Sequence, residues 1–360
     1  MNLLLTDEIV IWLPIHELNN PALTNLNYMI FTLIYLLLQS ISAYFTLILV
    51  STSWRIRKFH KNMTICFSFG FAVWFEGWLG IVLVWPYKCG LISVEDSHQK
   101  FSNFELSDMS RMARVSSYSN ALFLFIGSFL IWHYLVSTVA CMCSFVIERT
   151  IASFFFSDYE KRERNYIGYT ILVSSQIVVF QTTVLLFFHV FTLKSSLLIS
   201  IFLLSGVVLT FFFLLHYNTS LRNQLDITQI RISYSLAARF QAAENARSLK
   251  LAIFVFAVIC CIFAVGLTML IILLLRLVPE HFDYLITTAF ECLVSLNPLF
   301  IVPAAMFSVP EWKEAFYSHI PFMGNPSRRR RQRVQKVNQE VRASIETDIY
   351  FVQLEDSWRT

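Results

Sequence analysis

The chain has 360 residues, of which 56% are hydrophobic and only 14% charged, with 35 Phe and a mean hydropathy of +0.59. Soluble domains carry about 25% charged residues, so this deficit makes lipid the main solvent. A net charge of +4 is too small to suggest a nucleic-acid partner, and seven Cys lying mostly in apolar runs suit neither a disulfide framework nor a metal site.

Met1 to Asn27 contains no Lys or Arg, and Asp7 and Glu8 interrupt its apolar beginning, so it lacks the pattern of a cleavable signal peptide. The first span is predicted over Tyr28 to Ser51, ending at the basic, aromatic border Trp54 to Lys61. The second covers Met63 to Trp85, carries Glu76 between Trp74 and Trp78, and is closed by Pro86. After the polar stretch Tyr87 to Ser117, the third runs from Tyr118 to Ile147, with His133 near its middle and Glu148-Arg149 at its end. The fourth, Tyr166 to Val190, and the fifth, Leu197 to Tyr217, are separated by a short polar stretch around Lys194. Tyr234 to Lys250 is charged, rich in Ala and free of Gly and Pro, as a water-facing helix reads, and it continues into the sixth span, Leu251 to Leu277. The seventh covers Tyr284 to Phe307, with Asn297, Pro298 and Pro303 permitting a local helix bend. Each block approaches the roughly 20 residues needed to cross the hydrocarbon layer.

The predicted fold is an all-α membrane protein, a seven-transmembrane helix bundle. Lys and Arg gather in alternate loops, namely Arg55 to Lys61, Arg149 to Arg164, Arg222 to Lys250 and the tail with Arg328 to Arg331. By the positive-inside rule the N-terminus is outside and the C-terminus cytoplasmic. The sequons at Asn62 and Asn218 then fall inside and stay unglycosylated. Ser308 and Glu311 have capping-box spacing, and Trp312 and Phe316 share a face, which predicts a short amphipathic helix on the inner membrane surface. The parts are therefore an extracellular N-terminus (1–27), the bundle (28–308), the surface helix and its exit (309–325), and a basic then disordered tail (326–360) whose Arg run faces anionic inner-leaflet lipid or a partner.

Seven spans, an outside N-terminus, Glu148-Arg149 closing the third span and Asn297-Pro298 in the seventh resemble a G-protein-coupled receptor. Tyr234-Ser-Leu-Ala-Ala-Arg239-Phe240-Gln241 with Glu244-Asn245 and Leu249-Lys250, supported by Glu148-Arg149-Thr-Ile-Ala152, is similar to the nematode serpentine chemoreceptors of class epsilon. The resemblance covers the seven-span region. It implies a chemosensory receptor in the plasma membrane of sensory neurons, with an external small-molecule ligand and a heterotrimeric G protein as partners and room for a receptor dimer. The chain departs from the rhodopsin-like pattern in several ways. Thr150 follows Arg149, no Tyr closes Asn297-Pro298-Leu299-Phe300-Ile301, and no Pro lies in the sixth span. The extracellular disulfide usual in that class cannot form, which leaves Cys89 a free thiol or paired by another route. No Lys in the seventh span means no retinal Schiff base.

For G-protein coupling, Arg149 is the first candidate, paired with Glu148 and released on activation; the plainer reading is an Arg snorkelling at a span end. Arg239, Phe240, Glu244, Arg247 and Lys250 supply a facing surface or merely a solvated helix end. For a ligand pocket or intramembrane switch the candidates are Glu76, His133, Glu291 and Asn297. An ionised carboxylate at that depth costs a few kcal/mol, so each is protonated, paired or hydrated. Glu76 works with His133 or Asn297, and Glu291 has Arg276 in reach; the alternative for both is a hydrogen-bonded carboxyl that only orients helices. His189 reads as interfacial.

No catalytic motif or phosphate-cradling Gly loop is present, so neither an enzyme nor a cofactor is expected. A small-solute transporter would show inverted repeats, and a ligand-gated cation channel of inverted seven-span topology would need an inside N-terminus. An intramembrane hydrolase would need acids or His at matched depth, for which Glu76 and Glu291 are a thin basis.

Overall fold

The computed structural model describes residues 1–5, 9–56, 59–94, 101–102, 112–115, 118–155, 165–227, 236–279 and 282–320; most side chains over 222–251 stand outside it. The run Arg328 to Arg331 and the rest of the tail fall outside the described residues.

Seven helical spans are long and apolar enough to cross a membrane. They are α1 (Leu26–Arg55), α2 (Lys61–Ala72) continued by α3 (Trp74–Lys88), α4 (Tyr118–Phe154), α5 (Asn165–Phe187), α6 (Leu193–Ile227), α7 (Leu236–Leu274), and α8 (Asp283–Ser295) continued by α9 (Pro298–Ser308). A further helix, α10 (Pro310–His319), follows. Large apolar side chains such as Leu33, Phe202 and Leu209 point outward, the arrangement a lipid solvent selects. Inside, several Ser and Thr hydroxyls donate to carbonyls one turn back, as Thr46 does to Ser42 and Thr138 to Tyr134.

Two spans are interrupted. The second breaks at Val73, between α2 and α3. The seventh breaks at Leu296-Asn297, immediately before Pro298 at the first turn of α9, while Pro303 lies within α9. Pro86 does not close the second span: the helix runs on to Lys88, and the Pro86 carbonyl accepts from Leu91 at 2.9 Å. The third span likewise passes Glu148-Arg149 and ends at Phe154. The polar residues after Ile147 are good helix formers, so hydropathy marks the membrane border and not the helix end. α5 and α7 finish on His189 and Arg276, with φ of 51° and 49°, the left-handed conformation that closes a helix C-terminus.

The tightest packing is between α3 and α4. A Cβ on Gly80 would stand 2.7 Å from the Gly127 oxygen, and one on Gly127 would stand 2.8 Å from the Gly80 oxygen. Two facing glycines let these backbones touch, the small-residue device of membrane helix pairs.

The chain is not wholly helical. β1 (Asn2–Leu4) pairs antiparallel with β2 (Val10–Trp12) and parallel with β5 (Ala113–Arg114), and β3 (Glu17–Leu18) pairs with β4 (Phe101–Ser102). These short strands cover the end of the bundle where α1 begins, here the N-face; the opposite end is the C-face. The Met1 amine donates to the Leu13 and Ile15 carbonyls at 2.6 and 2.7 Å, and Leu3, Ile11 and Leu13 pack with Val84, Tyr87 and Leu124. Trp12 goes deeper. Its ring lies 4.6 Å from that of Trp132, whose indole N–H donates to the Trp12 carbonyl at 2.8 Å, and it packs with Leu186, Leu193 and Leu197.

All seven cysteines are free thiols, Cys89 included. Met1–Trp312 form one compact unit, and a second begins at Lys313. Within the first, Trp312 is buried and its indole N–H donates to the Ile56 carbonyl at 2.9 Å. The Ser308 hydroxyl donates back to the Ala305 carbonyl at 2.7 Å. Within the second, the Lys313 ammonium lies 6.0 Å from the Tyr317 ring centre.

Candidate functional site

Polar side chains converge at three levels of the bundle. At the C-face, Arg149 grips the carboxylate of its own neighbour through two bonds, Nε to Glu148 Oε2 at 2.5 Å and Nη2 to Oε1 at 2.7 Å. Both side chains are buried, at 2% and 0% exposure, so this is not an Arg snorkelling into headgroups. A buried pair persists only when its remaining hydrogen-bonding capacity is met. Asn245 of α7 contributes there: its Oδ1 accepts a long bond from Arg149 Nη1 at 3.5 Å, while its Nδ2 donates to the Ala152 carbonyl at 3.2 Å. On the other side Ser153 donates to the Arg149 carbonyl at 2.7 Å and accepts from Asn218 of α6 at 2.8 Å. Three helices are thus tied together around one ion pair.

Arg239, Phe240, Glu244, Arg247 and Lys250 lie on α7, and their side chains lie outside the described residues. Among the described residues, the α7 side chain that reaches Arg149 is that of the neutral Asn245, which the sequence offered as part of the family resemblance and not as a coupling residue.

Midway through the bundle, Glu76 and His133 meet at 3.0 Å across the close α3–α4 seam. Asn297 belongs to a different group. It donates to the Tyr134 hydroxyl at 2.6 Å, and that hydroxyl donates to the Val294 carbonyl at 3.2 Å. Trp74 donates to the Ser295 carbonyl at 2.8 Å and Tyr35 to the Ser295 hydroxyl at 2.7 Å. The Val294 and Ser295 carbonyls taken up by Tyr134 and Trp74 are ones that the break before Pro298 frees, and with Tyr35 on the Ser295 hydroxyl, α1, α3 and α4 all hold the interrupted seventh span.

Near the N-face, Glu291 pairs with Lys88 at 2.5 Å. Arg276, the partner expected from sequence, instead ends α7 in a left-handed turn. Lys88 is the last residue of α3, which reaches this depth only because the helix continues past Pro86.

Two cavities accompany these clusters. One, with about 530 Å³ of empty space, lies at the N-face between the β3 region, α1, α3 and α8, and Glu291 and Lys88 line it. The other, about 1020 Å³ and mostly apolar, lies between α2, α4, α7 and α9, with Tyr134 and Asn297 among residues such as Phe71, Phe256 and Trp312. Glu76 and His133 line neither cavity. No group of metal-binding side chains occurs among the described residues.

Seven membrane spans, two of them broken, enclosing buried polar clusters, are the architecture of a serpentine membrane receptor. The family model for the Sre G protein-coupled chemoreceptors matches residues 1–359, and the chain belongs to that family. Among its relatives from Caenorhabditis elegans, serpentine receptor class epsilon-45 is 26% identical over 363 residues, covering 98% of each chain. Serpentine receptor class epsilon-38 is 28% identical over 361 residues, covering 97% of each. Serpentine receptor class epsilon-27 is 29% identical over 357 residues, covering 97% of this chain and 96% of its own.

Proposed function

We propose that the protein is a chemosensory receptor that detects an external small molecule at its N-face and signals to a cytoplasmic G protein at its C-face. Membership of a G protein-coupled chemoreceptor family supports the class, and the excess of Lys and Arg beside the C-face supports the orientation. The observation that carries the mechanism is the enclosed Glu148–Arg149 pair with Asn245 of α7 against it. In this closed packing the guanidinium is spoken for. Separation of α7 from α4 removes the Asn245 contact and uncovers a fixed cation beside the α7 rod, a surface that a G-protein helix end can meet. A ligand acts by binding the open packing more tightly, which is all that a population shift requires.

The plasma membrane of a sensory neuron and the anionic inner leaflet belong to the same proposal, as does the coupling surface formed by Arg239, Phe240, Glu244, Arg247 and Lys250. The test is energy transfer between a C-terminally labelled receptor and labelled Gα subunits in living cells, while volatile and water-soluble compounds are screened. The reading expects a compound-dependent signal with at least one Gα. Compound-gated current with no signal from any Gα would replace it with a channel.

A further inference from the structure

We propose that the N-face cavity takes a small organic amine, whose ammonium group displaces Lys88 from Glu291. The proposal names the ligand class of the receptor reading above and rests on that reading for its biological meaning, though not for its chemistry.

Four separate pieces of chain build the cavity: the segment around Glu17, the start of α1, the end of α3 and the start of α8. Its charged lining is asymmetric. Glu17 and Glu291 supply two carboxylates, Lys88 supplies one ammonium, and His16 adds an imidazole. The Glu17 carboxylate accepts from the Asn20 side-chain amide, so Glu291 is the carboxylate that an arriving cation meets.

Exposure points the same way. The Glu291 side chain is 33% exposed and that of Lys88 is 15%, so an arriving molecule meets the carboxylate more openly than the ammonium. Displacement is also cheaper on the Lys side. Lys88 sits at a helix end on a flexible four-carbon stem, with its backbone carbonyl held by the Asn20 N–H at 2.9 Å, so its head can swing to water while its Cα stays fixed. Glu291 stands inside α8, on a much shorter tether.

The walls suit the rest of an amine. Tyr28 and Tyr284 meet edge to face at 5.8 Å and Phe31 stacks on Tyr35 at 6.2 Å, giving aromatic surface for an apolar body and ring faces for a cation. The cavity is open at its mouth, so a small molecule can enter it from the surface. In the unliganded protein Lys88 itself occupies the cation position. An incoming amine therefore finds a carboxylate already aimed.

The pair also ties α3 to α8, three residues before Val294, which accepts from Tyr134. Exchanging a tethered ammonium for a free one releases that tie beside the break in the seventh span.

The test is direct binding to the full-length protein in lipid nanodiscs, using benzylamine, benzoate and benzyl alcohol as probes of matched size. Benzylamine is expected to bind best. Glu291→Gln weakens its binding at least tenfold, and Lys88→Met tightens it, because the competing ammonium is gone. The double variant Lys88→Met/Glu291→Gln leaves neither member of that pair as a lone charge, so it is expected to fold like the wild type yet lose benzylamine, separating loss of the site from loss of the fold. Preference for benzoate, indifference of benzylamine to Glu291→Gln, or no binding by any of the three overturns the proposal. No G protein is present in this assay. Its failure therefore leaves the receptor reading standing, and a failure to couple leaves amine binding standing.

Discussion

Asn245→Leu tests the closed packing at its weakest joint. The side chain is 1% exposed, and Leu keeps its branched shape with two bulkier methyls in place of the amide oxygen and nitrogen, so the change removes the polar contacts and adds some bulk. Two contacts disappear, one with Arg149 at 3.5 Å and one with the Ala152 carbonyl at 3.2 Å. A hydrogen bond to a charged group contributes about 1.5–3 kcal/mol and a neutral one about 1 kcal/mol. The first is long and the second is stretched, so their joint contribution is about 2 kcal/mol, roughly 30-fold in the ratio of open to closed packing. Basal guanine-nucleotide exchange in membranes carrying the variant and a coupled G protein should rise by up to that factor without any ligand. Asn218→Leu is the comparison, since Asn218 reaches Ser153 and not the Arg149 head, and it should raise basal exchange less. Unchanged basal exchange in Asn245→Leu, with normal surface expression, would refute the assignment of Asn245 as the joint between α4 and α7.

Gly80→Val drives its Cβ into the Gly127 carbonyl and should cost about 1–3 kcal/mol of bundle stability, seen as a lower melting temperature in detergent; Gly206→Ala, with nothing within 4 Å, should leave it unchanged. Trp12→Ala removes a large side chain wedged among α4, α5 and α6, worth about 3–5 kcal/mol, and should speed amide exchange in residues 2–12 far more than in α4. An epitope at the N-terminus should be reached by antibody in unpermeabilised cells, whereas one after residue 360 should not; the reverse result would invert the proposed orientation.

The spans were readable because a membrane helix must be a continuous apolar block of a known length, a signal that needs no tertiary information. Some of their ends were not, since α4 and α6 continue past the lipid through polar residues that are equally good helix formers, whereas the polar start of α7 was legible as a helix running into the sixth span. The N-face strands are two or three residues long, too short to carry a period-2 pattern, so nothing in the sequence signalled them. Glu148 and Arg149 stood out in the sequence as the charged pair closing the third span, and the structure joins them directly. Glu76 and His133 could be suspected as intramembrane charges, but what places them together is the glycine seam of α3 and α4. Lys88 lies 203 residues from Glu291, and only the extra turn after Pro86 brings it to the carboxylate. Asn245 gave no polar surprise amid Arg239, Glu244, Arg247 and Lys250, and its weight comes entirely from facing Arg149.

Ligand-dependent nucleotide exchange by the purified receptor, reconstituted with its G protein, tests the central claim most directly when wild type and Arg149→Ala are compared side by side. The account predicts stimulation by a bound compound in the wild type and none in Arg149→Ala, with the variant still reaching the cell surface and still binding that compound. Equal stimulation in both would contradict it, because the cation held by Glu148 and Asn245 would then play no part in coupling.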